Sequence, residues 1–266
     1  MELNKRWRWL GIEFVVIALG VLAALFVDTW VEDRQNAERA EVYRERLTID
    51  LKRDIANLDS VTEYYTNVRK FGLATLADLD GLERLDDFSL LYAAFNAAEE
   101  WAFVLESSTY NDLQSTGGLA LISDVQLRID LADYHRIAKS RENVWNPLRD
   151  YRSTARGIIP NALQTAIHNS CVGEDDGGGP LSAVESSESQ LPASMQPLTS
   201  SAISKGRCGL NPEDFDVRVA AEKLRSDPNI PRLLRYRISQ LRIATALFEG
   251  QKELAQRLLD RLESSG

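Results

Sequence analysis

"WLGIEFVVIALGVLAALFVDTW", residues 9–30, decides how the rest of the chain is read. It is apolar except for Glu13 and Asp28, and as one helix it extends about 33 Å, enough to cross a hydrocarbon core. Its roughly one dozen Leu, Ile, Val and Phe residues contribute about −4 to −7 kcal/mol on an insertion scale, against about +3 for one acid. Trp7, Trp9 and Trp30 stand where interfacial tryptophans belong. Lys5, Arg6 and Arg8 precede the run, whereas Asp28, Glu32 and Asp33 close it. The positive-inside bias then assigns residues 1–8 to a short cytoplasmic tail, 9–30 to a transmembrane helix and 31–266 to the extracytoplasmic side. A cleaved signal peptide is the competing reading. The run is long for one, and "LAALFVDTW" offers no small-x-small cleavage site.

Glu13 has two main explanations. It lies about one turn inside Trp9, and helical side chains lean toward the N-terminus, so its carboxylate reaches back toward headgroups. Alternatively it serves a helix-pairing face. Glu13, Ile17, Gly20, Ala24 and Val27 share one side, and Gly20-x-x-x-Ala24 permits close helix approach. A partner helix, or a second copy bringing Arg6 or Arg8, would then meet the acid. Proton transfer is a third, lesser use of an intramembrane acid.

Neither glycine nor proline occurs between Gly20 and Gly72, so the anchor is expected to continue as a stalk helix. Tyr43, Leu47, Leu51, Ile55, Leu58, Tyr65 and Val68 recur at threes and fours, an amphipathic stripe that packs on a bundle or forms a free coiled-coil dimer. Arg44, Arg46, Asp50, Lys52, Arg53, Asp54 and Asp59 read as a solvated, mixed-charge surface. Helical patterns follow over 86–106, with Trp101 and Phe103 as core aromatics, and over 107–118, where Ser107 or Ser108 caps and Gly117 and Gly118 terminate. Residues 123–145 form another, capped by Ser123 or Asp124 and burying Leu127, Leu131, Tyr134 and Ile137. After Pro147 a further helix reaches about Asn169. "NPEDFDVRVAAEKLRSD" (211–227) restarts helix with Asn211 as cap and Pro212 first. A final helix spans about Arg232 to Glu263, its Arg232, Arg235, Arg237 and Arg242 facing acidic helices, anionic headgroups or an acidic partner. The fold class is all-α: one transmembrane helix continuing into a stalk that packs in an extracytoplasmic bundle.

Residues 171–211 are crowded with Gly, Ser and Pro and read as a long loop. Cys171 and Cys208, the only cysteines, bracket it, and in an oxidising compartment a disulfide between them would stabilise by about 2–4 kcal/mol. The formal net charge of −9 argues against nucleic acid, which needs clustered cations. Two cysteines and two histidines leave little for a Cys/His metal site, and no metal ligand or cofactor is assigned. P-loop, dinucleotide, H-E-x-x-H and G-x-S-x-G patterns are absent, and no catalytic residue is assigned. His135, between Tyr134 and Arg136, reads as structural rather than as a general base. "STYNDLQSTGG" reads as capping rather than an anion nest, and "GEDDGGG" lacks the alternating ligands of a calcium loop.

Ile12-Glu13-Phe14, Gly20-Val21-Leu22-Ala23-Ala24-Leu25, Trp30, Glu32 and Arg34, then Leu47, Asp50-Leu51 and Asp54, and finally Ser108-Thr109-Tyr110-x-x-Leu113-x-Ser115-x-Gly117 resemble an uncharacterised family of bacterial single-pass membrane proteins. The resemblance covers about the first half well. It implies a bacterial envelope location and a helical extracytoplasmic part, which we expect to be the inner membrane and the periplasm, and it implies no activity; the cysteine-bracketed loop is an addition to its pattern. The expected function is a non-enzymatic interaction or scaffold subunit of a larger membrane assembly (respiratory, photosynthetic, transport or envelope machinery). Its partners would be the lipid bilayer and either a transmembrane or extracytoplasmic protein or a second copy. A ligand or stress sensor and an enzyme with an unfamiliar site are the alternatives.

Overall fold

One helix, α1, runs from Leu3 to Leu79 without interruption in a computed structural model. Its 77 residues extend about 115 Å. The structure describes residues 3–101, 104–141, 149–171, 198, 203 and 209–264, with the side chains of 3–16, 18, 141, 149, 170 and 171 outside that description. Over residues 21–71 nothing in the chain removes a helical hydrogen bond or adds glycine's entropy cost, which explains the continuity. The helix ends where Gly81 adopts φ +75° and the N–H groups of Leu82 and Glu83 both reach the Ala77 carbonyl.

Seven further helices follow among the described residues: α2 (Asp87–Ala97), α3 (Ser108–Thr116), α4 (Val125–Arg141), α5 (Arg149–Ile158), α6 (Asn161–Cys171), α7 (Arg218–Ser226) and α8 (Asn229–Ser264). Short 3-10 turns cover Gly118–Leu121 and Pro212–Asp214, and no strand is described. The fold is all-α. α8 packs antiparallel along α1. Asp80 pairs with Arg235, Asp59 with Lys252 and Glu263 with Lys52, so the numbers fall on one helix as they rise on the other. Such exposed pairs mark register more than they add stability. Gly72 lets the two helices approach, since a Cβ there would meet Ile238 at 3.1 Å.

Two apolar cores lie end to end along this pair. The larger takes Leu58, Tyr65, Val68 and Phe71 of α1 with α2, α5, α6, α7 and the first half of α8. The smaller takes Leu47 and Leu51 with Leu113, Leu131, Tyr134, Leu258 and Leu262, from α3, α4 and the end of α8. The stripe read from the sequence is therefore the buried face of α1. Toward the N-terminus it has no counterpart: Ile17, Leu22, Phe26, Val27 and Trp30 all lie exposed.

Several expectations need correcting. Helix does not persist through 86–106; α2 stops at Ala97, because carbonyls from Ala97 to Glu99 are taken by arginines from other helices. The stretch after Pro147 is two helices, not one, since Pro160 denies a hydrogen bond and separates α5 from α6. Asn211 does cap, accepting the Glu213 N–H, but it starts a 3-10 turn, and α7 begins only at Arg218. α8 starts at Asn229 rather than Arg232, because Pro231 is tolerated in a first turn where no donor is needed. Asp54 belongs to no solvated surface: it is 1% exposed. Trp101 packs against the larger core; Phe103, Pro147 and most of the 171–211 loop, Cys208 included, fall outside the described residues.

Candidate functional site

The proposed pairing and anchoring residues all lie on the free half of α1. Ile17 and Val27 are exposed, as are Gly20 and Ala24, and a Cβ at Gly20 would meet nothing within 4 Å. Trp30 is exposed at the end of the run. Arg6, Trp7, Arg8, Trp9 and Glu13 are helical, with side chains outside the description. Cys171 closes α6 with its side chain likewise outside, so the disulfide with Cys208 falls outside the described residues. Among the described residues no helix is long and apolar enough to cross a membrane; the side chains of 3–16, where the apolar run begins, are not among them.

A polar interior site sits beside the smaller core. Asp54 Oδ1 accepts the Glu106 N–H at 2.8 Å, and its Oδ2 accepts the Tyr134 hydroxyl at 2.8 Å. Gln251 of α8 donates to the Tyr134 carbonyl at 3.1 Å, so one knot ties α1, α4, α8 and the segment before α3. Burial pushes the Asp54 carboxyl up to about 6; the two donated hydrogen bonds oppose that shift, and the nearby Glu106 and Asp50 charges reinforce it.

Next to this knot, His135 stacks on Tyr110 with ring centroids 4.2 Å apart. Burial holds its imidazole down to about 4, the Asp50 charge pulling weakly the other way, so it is neutral near pH 7 and a poor base. Both rings line a cleft of about 530 Å³ with Leu105, Phe248 and Gln251 inside and Lys139 on its wall. Its size is that of a small-molecule site, and its lining mixes the apolar Val104, Leu105 and Phe248 with polar side chains, among them Asn111, Gln114, Arg136 and Lys139. Among the described residues no group of His, Cys, Asp and Glu is arranged to hold a metal ion.

A second polar cluster holds the end of α2. Arg237, 1% exposed, donates to the Glu99 carbonyl at 2.6 Å and to Ala97 at 3.4 Å, with the Glu100 carboxylate 3.7 Å away. Arg152 donates to the Ala98 carbonyl at 2.7 Å, and Arg156 pairs with Glu99 while lying over the Phe95 ring. Tyr65 donates to the Trp101 carbonyl and accepts the Trp101 N–H. The carbonyl contacts satisfy backbone left open where α2 ends, and the Glu99 and Glu100 carboxylates tie the same segment to Arg156 and Arg237, which marks the cluster as a structural clamp. Arg235 finds Asp80, so Arg235 and Arg237, two of the four arginines in the first half of α8, meet acidic or carbonyl groups of their own chain.

Sequence reading missed Asp54, Arg237, Gln251 and Asp112, which accepts from Tyr43 and Arg46 of α1. The spacing of Asp54 did hold a signal: it stands between Leu51 and Leu58, on the buried stripe rather than opposite it. Arg237 held the same signal: it stands three residues after Leu234 and four before Leu241, on the buried stripe of α8. The motif helix α3 behaves as read, ending at Gly117 with φ +74°, although the Ser107 side chain makes no cap to the backbone.

A family described as a family of unknown function (DUF6090) matches residues 13–175, from the apolar run through α6. No curated protein matches the chain. No solved structure matches it either.

Proposed function

The chain belongs to DUF6090, a family of unknown function, and we propose that it is a membrane-anchored, non-enzymatic interaction protein. In this reading α1 is both anchor and stalk, residues 9–30 cross a bacterial inner membrane, and the bundle stands in the periplasm. One observation carries it. Among the described residues the large apolar side chains from Ile17 to Trp30 bury against nothing: Phe26 is 74% exposed and the others 55–62%, while the same helix is deeply packed from Leu47 onward. A contiguous apolar patch of this kind on a folded chain marks a membrane or protein contact. Between Trp30 and Tyr43 the helix is bare and charged, and its 13-residue rise sets the bundle about 20 Å from the bilayer. That geometry suits a subunit that reaches the extramembrane part of a larger assembly.

The test is topological. A carboxyl-terminal tag on the full chain is expected to be digested by protease added to intact spheroplasts, and the chain is expected to stay in the membrane through alkaline carbonate. A tag protected until lysis would overturn the orientation, and extraction by carbonate the anchor. Crosslinking in intact membranes followed by affinity purification is expected to recover a reproducible assembly; a lone monomer counts against the docking role.

A second reading, a ligand-responsive module, rests on the cleft beside His135. Its apolar Val104, Leu105 and Phe248 beside the cationic Arg136 and Lys139 suit a small anionic amphiphile. Saturable binding of dodecanoate, weakened by Lys139→Glu, is the expected result in that case, and its absence removes the reading.

A further inference from the structure

The cleft beside His135 and the Asp54 knot share their walls. Leu105 and Ser107 line the cleft, and the N–H of Glu106 between them is the donor to Asp54 Oδ1. His135 lines it as well, and the adjoining Tyr134 gives its hydroxyl to Asp54 Oδ2. Gln251 lines it from α8 while its amide holds the Tyr134 carbonyl. Asp54, 1% exposed, therefore sits one peptide behind the cleft wall. The charges that act on it are acidic, Asp50 from its own helix and Glu106 from the segment before α3, while α4 presents the Tyr134 hydroxyl and Gln251 of α8 is neutral. The cations of the cleft itself are Arg136, which is tied to Asp133, and Lys139, which has no ion pair among the described residues.

We propose that the cleft takes its anionic ligand together with one proton, and that Asp54 holds that proton. The proposal rests on the ligand-responsive reading and adds what regulates the site. An anion with its chain on Leu105 and Phe248 and its head at Lys139 brings a further negative charge toward a carboxylate that already faces two acids. It also displaces the water that screens that carboxylate through the wall. Both effects disfavour the ionised form. Linkage makes the effect reciprocal: a group that gains a proton when the ligand binds makes the ligand bind more tightly as pH falls. The window follows from the ligand-free protein, where burial pushes the Asp54 carboxyl up to about 6. Binding is weakest above about pH 7.5, where Asp54 is ionised with or without ligand, tightens as pH falls toward 6, and levels off once the proton is bound in both states. His135 acts with the same sign, but burial holds its imidazole down to about 4, so its share falls below that window.

Octane-1-sulfonate tests this, because its head group stays charged throughout and its short chain leaves little of it in lipid. The full chain in lipid nanodiscs is titrated calorimetrically between about pH 5 and 8, with empty nanodiscs as the blank. The expected result is a dissociation constant roughly three- to tenfold lower at pH 5.5 than at pH 7.5. Net proton uptake near pH 6.5 is expected too, read on the wild-type chain from titrations in two buffers of different ionisation heat. Asp54→Asn, whose amide stands in for the protonated carboxyl, is expected to bind at pH 7.5 as tightly as the wild type does at pH 5.5 and to lose the pH dependence. Binding by the wild type that ignores pH, proton release on binding, or an unchanged pH profile in a folded Asp54→Asn chain would each overturn the proposal and leave the ligand-responsive reading standing. No saturable binding at any pH would overturn both.

Discussion

Asp54 concentrates the chemistry of the bundle in one side chain. Its carboxyl is raised from an ordinary value near 3.8 to about 6 by burial, so the folded protein holds that proton more tightly than the unfolded chain does. The sign follows: this group favours folding below about pH 4, and the contribution is lost as pH rises through about 6. The full shift corresponds to about 3 kcal/mol. Asp54→Asn is therefore expected to lose stability relative to wild type as pH falls from 7 to 5, measured as the difference in melting temperature between the two proteins; a constant difference would show that Asp54 does not titrate there. Arg237 is the other residue whose removal should be severe. Arg237→Met strands two carbonyls and leaves the half-buried Glu100 carboxylate without its cation, and the expected loss is about 3 kcal/mol by denaturant unfolding. Exposed Arg235→Met should cost under about 1 kcal/mol.

At the scale of elements, helix ends are decided by two different mechanisms. α3 and α4 end or begin on local chemistry. Gly117 supplies a left-handed residue, and Asp124 accepts the N–H groups of Gln126 and Leu127. Gly117→Ala is expected to cost about 1 kcal/mol through that conformation alone, with no change in helix content by circular dichroism. α2 ends on distant arginines and Tyr65. That is why its stop at Ala97 was invisible in a stretch rich in Ala and Leu, while the end of α3 at Gly117 was legible. Asp78 shows the same principle on α1: it accepts the Leu85 N–H and the Arg225 guanidinium, which also reaches Asp87, so α1, α2 and α7 are locked by one arginine.

Taken whole, the molecule divides into a packed bundle and a free helix. Both cores begin beyond residue 43, so deletion of residues 1–42 should leave the bundle's unfolding free energy within about 1 kcal/mol of the full chain. Cooperative unfolding of the shortened chain, followed by circular dichroism, checks this; a molten shortened chain would show that α1 needs its outer half. The same division explains what each level of description reveals. An apolar run, a glycine- and proline-free stretch, a stripe at threes and fours and a glycine terminator are properties of neighbours along the chain, and these alone determined the all-α class, the long first helix and its buried face. Burial of Asp54, the clamp on α2 and the cleft beside His135 depend on residues up to about 140 positions apart in sequence meeting in space. Only the packing of the helices against one another decided those, because burial and hydrogen-bond partners are set by what surrounds a residue rather than by what adjoins it.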